Sequence, residues 1–538
     1  MRPHPRSHSR SHARAVLLSA VLALTLGTTI AASPTYATDP TATPDATTRP
    51  GETTIAEEAL AAAESAVVSE PAAAPDERTD LTLAMRDLFV AKHALRGSDR
   101  ATAERLLARP TTPPDDPDDP RDISYGPEAD LQTQCSATFC LHWVEEGQHA
   151  TTPAFAATAF DTITHVAGVY AAAGFKRPLR DAGQEGDTRM DFYLGDIDSV
   201  GALGYCRSDA DGPVVGSAWY AYCGFDNDYA STPWLDPTAA LQITVAHEYF
   251  HAVQFAYDAE DDGWLMESTA TAMEDVLYTD VNDNAFFLNY GQMGDPDYLG
   301  YPLAGPSTSL DTFDLNAYGN WGFWRFLTEK HADTTAGVPN LVRQVWEALD
   351  TTKGVNTRHS LQAIDKVLVA RGTSTPEQYA AFADANQHPS DVYSEAVEQA
   401  YPTAPNTLPT IQLAKKRPIA THRARLDHLT SATGAVQPFA GSKWLTVAVD
   451  LGRSTPVRAV VTVHRVDGST STTHVRTNKQ GYGVTVVPFA SAKVASVEVT
   501  LANGSTRMTG CGGGSAQACG GTSPDDGLVA DVGYLAVG

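Results

Sequence analysis

The chain has 538 residues, with 65 acidic against 38 basic side chains and a formal net charge of -27. That balance argues against nucleic acid or anionic lipid as a partner, because binding phosphate needs clustered Lys and Arg. The length allows two or three domains, each able to bury a core of its own.

At the N-terminus, Arg2, Arg6, Arg10 and Arg14 precede an apolar stretch over residues 15–32 and small residues ending at Ala37. This is the layout of a secretory signal peptide, assigned to residues 1–37. No later run of about twenty apolar residues exists, so no integral membrane segment is expected after signal cleavage, and the protein is expected outside the cell. Residues 38–130 are rich in Ala, Thr, Pro and acidic side chains, with one helical segment at 81–109 and Asp-Pro repeats at 110–120. They read as a tethered leader, a candidate propeptide ending in a flexible, protease-sensitive linker. Six cysteines fall in three close pairs: Cys135 with Cys140, Cys206 with Cys223, and Cys511 with Cys519. In an exported chain this points to three local disulfides, and no pair has the spacing of a zinc ribbon.

Short apolar runs at 139–144, 190–194 and 218–225 read as strands, with a helix at 153–173 between the first two. Helices follow at 237–257 and 265–278, separated by a short acidic loop. Residues 316–329, 339–349, 359–371 and 376–385 show apolar positions three and four apart and extend the helical part. After Leu408 the period changes to two: 444–451, 457–466, 483–489 and 494–501 read as strands, with Asp467-Gly468 as a hairpin turn. The expected architecture is a mixed sheet, a long central helix and a helical subdomain over residues 131–405, then an all-β sandwich over residues 406–538.

The helix at 237–257 carries His247-Glu248-Tyr249-Phe250-His251. Two histidines four apart project from one helix face about 6 Å apart, a separation that lets both imidazoles bind one tetrahedral zinc. Glu248, one step round the helix, reaches the water side without ligating, where a carboxylate can accept a proton. A catalytic zinc needs a third protein ligand, and Trp264-Leu265-Met266-Glu267 offers one at the start of the next helix.

An HExxH motif followed by this Trp-Leu-x-Glu segment resembles the gluzincins, the clan of thermolysin and the aminopeptidase N-like enzymes. Residues 245–283 are similar to a group of secreted bacterial metalloproteases; the resemblance spans about residues 140–389. It implies an α+β, zincin-like catalytic domain, with His247, His251 and Glu267 as zinc ligands and Glu248 as general base. Glu274 is the rival third ligand, on the same helix face but two turns farther along, and helix rise favours Glu267. The resemblance also implies an oxyanion donor, for which Tyr318 is the candidate; the alternative is a tyrosine packed among Trp321 and Trp324. Where thermolysin-like enzymes place an Asp to orient a ligating His, this chain has Thr271, so the orienting group is open. No Gly-x-Met-x-Asn signature marks recognition of a free N-terminus, so an endopeptidase is expected.

Clan members place a substrate-pairing edge strand where residues 217–225 lie; an ordinary sheet strand pinned by Cys223 is the other reading. The acidic clusters at 226–228, 258–262 and 280–284 read as solvated surface, with structural calcium as the alternative. The expected function is a secreted zinc-dependent endopeptidase acting on extracellular protein or peptide. The alternative is an exported, non-catalytic binding protein that holds a surface or glycan through its β-sandwich.

Overall fold

The computed structural model describes residues 52–67, 80–113, 121–209, 214–349 and 358–538. The expected signal peptide and most of the Asp-Pro linker lie outside the described residues. Among the described residues no helix is long and apolar enough to cross a membrane.

Helix α1 (Glu52–Val67) buries Ala56, Leu60 and Ala63, a stripe at helical spacing, and packs on α2 (Leu81–Ala91). Asp80 caps α2, its carboxylate accepting from the Leu83 N–H at 2.6 Å. The single helix expected at 81–109 is instead broken: residues 92–94 make a 3-10 turn, Arg96 is extended, and α3 (Gly97–Leu106) restarts the helix.

The first sheet contains β1 (Gln132–Cys135), β2 (Phe139–Trp143), β3 (Met190–Gly195), β4 (Gly204–Arg207) and, after a small hairpin of β5 (Val214–Val215) and β6 (Ala218–Trp219), β7 (Tyr222–Asp226). Helix α4 (Pro153–Ala172) connects β2 to β3. The strand order is β1-β2-β3-β7-β4, with β2, β3 and β7 parallel and the two edge strands antiparallel. This corrects the strand expectation at 217–225. That segment is interrupted after Trp219, its main part β7 lies inside the sheet, and the edge is β4. A four-residue strand with a glycine at its start gives too short a period-two signal to be read from sequence.

Helix α5 (Pro237–Asp258) begins with the Asp236 side chain accepting from the Thr238 N–H and with Pro237 in the first turn. It is buried along nearly its whole length, against β4 and β7 on one side and α6 (Gly263–Leu277) on another. The helical part continues through α7 (Pro296–Leu299), α8 (Leu315–Gly319), α9 (Trp321–Lys330), a hairpin of β8 (Thr334–Thr335) and β9 (Val338–Pro339), α10 (Asn340–Ala348), α11 (Ser360–Ala370) and α12 (Thr375–Ala385). The helix expected at 316–329 divides at Asn320, whose side chain donates to the Leu310 carbonyl and accepts from the Gln292 N–H. These bonds tie Asn320 to backbone 10 and 28 residues away and hold the chain at the break.

The C-terminal region is a β-sandwich of two sheets with a separate core that includes Val447, Val461, Val499 and Leu501. One sheet is ordered β10-β12-β17-β14-β15 and the other β11-β18-β13-β16. The strands are β10 (Ile411–Gln412), β11 (Ile419–Leu426), β12 (Thr430–Gln437), β13 (Trp444–Asp450), β14 (Val457–Arg465), β15 (Thr470–His474), β16 (Tyr482–Pro488), β17 (Val494–Asn503) and β18 (Leu528–Val537). The expected hairpin turn joins β14 to β15, with Gly468 at φ 85°. All three expected disulfides form, and Cys206–Cys223 ties the edge strand β4 to β7.

The leader is not a loose tether. Leu83, Met85, Leu88, Leu106 and Leu107 belong to the same core as the sheet and α5. Buried Arg109 pairs with Asp181 at 3.0 Å, Asp209 at 2.7 Å and Asp191. A charge taken out of water needs such partners, and they lie far away in sequence, which is why composition alone read this segment as detached.

Candidate metal centre

Helix α5 has two working faces. Val245, Tyr249 and Phe250 pack into the core, with Tyr249 stacked on Phe192 of β3 and on Tyr170 of α4. His247 and His251 face α6, and Glu248 faces β4. Gly204 allows that strand to approach: a Cβ there would meet the Glu248 Cγ at 2.9 Å and the Thr244 Cγ2 at 2.7 Å.

The turn at 259–262 returns the chain along α5, and α6 brings Glu267 between the two imidazoles. Its Oε2 lies 3.2 Å from His247 Nε2 and its Oε1 lies 3.3 Å from His251 Nε2. Two ligand atoms each about 2.0 Å from a tetrahedral zinc are separated by about 3.3 Å, and each imidazole–carboxylate distance matches that spacing, with a different Glu267 oxygen facing each ring. His251 Nε2 and Glu267 Oε1 are buried and have only each other as polar neighbours, at 3.3 Å, so both are turned away from solvent. The donor set, two imidazoles and a carboxylate, suits zinc.

The outer ring nitrogens are fixed. His247 Nδ1–H donates to Glu274 Oε1 at 2.6 Å, and His251 Nδ1–H donates to Gln254 Oε1 at 2.7 Å. The Gln254 amide cannot be turned round, because its Nε2 donates to the Met266 carbonyl and to Thr269 Oγ1. Each histidine therefore presents an Nε2 lone pair inward. Glu274 sits as this orienting group beside His247 and not beside Glu267 as a third ligand. Thr271 takes no part; its hydroxyl has no hydrogen-bond partner.

Burial pushes the Glu248 carboxyl up to about 7, against the pull of His251 and His247. For Glu267 burial acts in the same upward direction, but the adjacent His251 and His247 overcome it and hold the carboxylate well below its usual range. Burial would lower both imidazoles, yet their carboxylate partners hold them above the ordinary value. Protons and a metal thus compete for the same nitrogens, so metal uptake strengthens as pH rises.

Tyr318, on α8, reaches this centre. Its ring stacks on His247 at 6.1 Å between centroids and packs against Phe287. Trp321 and Trp324 turn elsewhere, their indole N–H groups donating to the Asn284 carbonyl and to Ser268 Oγ. The Tyr318 hydroxyl donates to Asp80 Oδ2, and the Thr82 hydroxyl donates to Glu248 Oε2 at 3.1 Å. These two leader residues carried no readable signal. Asp80 lies in a segment whose composition marks no site, and 166 residues separate Thr82 from Glu248. Gln254 could have been found from its place three residues after His251 on the same helix.

Among the acidic loops, Asp196, Asp198 and Asp226 gather ligand oxygens within 4.8 Å. Both Asp226 oxygens already accept backbone N–H groups, from Ile197 and Asp198 and from Asp228 and Tyr229. This cluster is a backbone clasp.

No family model matches the chain, and no curated protein matches it. Among solved structures, the pre-peptidase C-terminal domain of a Bacillus anthracis collagenase is 10% identical, covers 24% of this chain and 96% of that chain, and has a TM-score of 0.16. CorA, a surface-associated copper-binding protein of Methylomicrobium album BG8, is 11% identical over 24% of this chain and 98% of that chain, at 0.15. The GH115 4-O-methyl-alpha-glucuronidase BtGH115A is 9% identical over 68% and 54%, at 0.14. TM-scores this low carry no argument about what the protein does.

Proposed function

We propose that the chain is a secreted zinc metallopeptidase of gluzincin type, with a zincin-like catalytic domain, that cleaves extracellular polypeptides at internal bonds. The observation that carries this reading is the convergence of His247 Nε2, His251 Nε2 and Glu267, with both outer imidazole nitrogens locked by Glu274 and Gln254. Zinc bound there would supply Lewis acidity toward a carbonyl and make water easier to deprotonate.

The chain's own residues supply the rest. Glu248 accepts the proton of the attacking water and passes it to the leaving amine, and a carboxyl raised to about 7 is suited to both transfers near neutral pH. The Tyr318 hydroxyl, once free of Asp80, is placed to donate to the oxygen that gains charge on the cleaved carbonyl. Buried walls exclude bulk water and strengthen both effects. With α2 moved aside, an extended polypeptide would pair along β4, the edge strand over α5. Export is supported by the three disulfides and by the N-terminal sequence pattern.

The test is zinc content and casein hydrolysis of the full chain beside Glu248→Gln. Both should hold one zinc, and hydrolysis by the variant should fall roughly 10²- to 10⁴-fold. A chain that takes up no zinc, or a variant that cleaves casein as fast as a cleaving parent, would overturn the reading; zinc in both with no cleavage by either would point to a leader that keeps the full chain latent.

A further inference from the structure

We propose that the leader is a resident plug, with Asp80 and Thr82 holding the site latent until α2 is displaced; this rests on the metallopeptidase reading. Three groups that a substrate needs are all engaged by the cap and first turn of α2. The outward N–H of Cys206 on the edge strand β4, which an extended peptide would use, donates instead to Thr82 Oγ1 at 3.0 Å. The same hydroxyl donates to Glu248 Oε2 at 3.1 Å, so the proton acceptor is occupied. Asp80, one residue before the helix, takes the Tyr318 hydroxyl on its Oδ2 and is close enough for its charge to act on His251 and Glu267. Asp80 thus accepts on both carboxyl oxygens, from the Leu83 N–H and from the Tyr318 hydroxyl that the proposed mechanism would turn to the substrate carbonyl.

The plug is held by more than its tip. Phe89 packs edge-on against Trp219 at 4.9 Å, and Arg86 donates to the Asp261 carbonyl at 2.9 Å. Farther along, Arg207 donates to the Leu106 carbonyl at 2.7 Å and the Tyr222 hydroxyl bonds the carbonyls of Leu107 and Ala108. Cutting the chain within residues 114–120 would therefore leave the leader bound; opening the site requires α2 to leave β4.

Asp80→Asn separates the two roles of that residue, because Asn still caps a helix but carries no charge toward the metal. The zinc-loaded full chain and this variant are compared by titration with a peptide hydroxamate and by deuterium uptake across residues 81–91. The variant should bind the hydroxamate at least about tenfold more tightly, the factor expected from loss of one charge-assisted hydrogen bond. In the parent, saturating hydroxamate should raise exchange in residues 81–91, a readout that depends on no variant. Thr82→Val, which removes the hydroxyl at similar volume, should shift affinity in the same direction. Zinc content of the same samples separates the two failures. Without bound zinc the peptidase reading falls and the plug with it. With zinc bound, equal hydroxamate affinity and unchanged exchange would refute the plug alone.

Discussion

At the scale of single residues, the proposed centre depends on groups that would not touch the metal. Glu274 holds His247 in the tautomer that turns Nε2 inward, and Gln254 does the same for His251. Glu274→Ala should therefore lower zinc affinity about 10- to 100-fold, measured by competition with a chromogenic chelator. Unchanged affinity would show that the imidazole is oriented by packing alone. The HExxH face was legible because both histidines and Glu248 lie within five residues of one helix. The role of Glu274 was not, since a carboxylate two turns beyond Glu267 reaches either the ion or an imidazole according to how α6 lies against α5.

At the scale of elements, the edge strand and the leader meet beside the centre. β4 escaped the sequence reading, yet it carries both Gly204, under Glu248, and Cys206, which meets Thr82. The leader helices are fastened to the sheet through Arg109, which is 4% exposed between three carboxylates. Removing that guanidinium leaves Asp181, Asp191 and Asp209 without their counter-charge in a dry setting. Arg109→Met should cost about 3–5 kcal/mol in urea unfolding monitored by tryptophan fluorescence. A loss under about 1 kcal/mol would mean that water or protonation relieves the carboxylates. The Asp-rich loops illustrate the opposite lesson: sequence read them as solvated charge, but Asp226 is buried and closes on backbone N–H groups.

At the scale of the whole molecule, the sandwich has its own core beside that of the sheet-and-helix region, and α12 packs on β14 and β17 across their boundary. A buried ion pair reinforces that contact: His428 lies between Asp311, on the helical side, at 3.0 Å and Asp526 at 2.7 Å. Burial would lower the His428 imidazole, but the two carboxylates push it up to about 9. The folded value exceeds the unfolded one, so this contribution is complete below about pH 6.5 and is lost as pH rises through 9. It amounts to about 3 kcal/mol. Thermal unfolding followed from pH 6 to 10 should show a fall in stability over that window which His428→Gln lacks. The same slope in both proteins would place the loss elsewhere.

The sequence by itself determined the features that depend on neighbours along the chain: the helices with strong apolar periods, the hairpin at Asp467-Gly468, the cysteine pairs and the His247-Glu248-His251 face. Glu267 was within reach because only a short turn separates its helix from α5. Tertiary structure decided what depends on groups that meet across long stretches of chain. It set which strand forms the sheet edge, which carboxylate orients His247, and that Asp80 and Thr82 stand over the centre. Local periodicity reports burial of a face, but it does not report which distant surface buries it. Partners brought together by long-range packing are chosen by shape and charge complementarity, which no window of sequence contains.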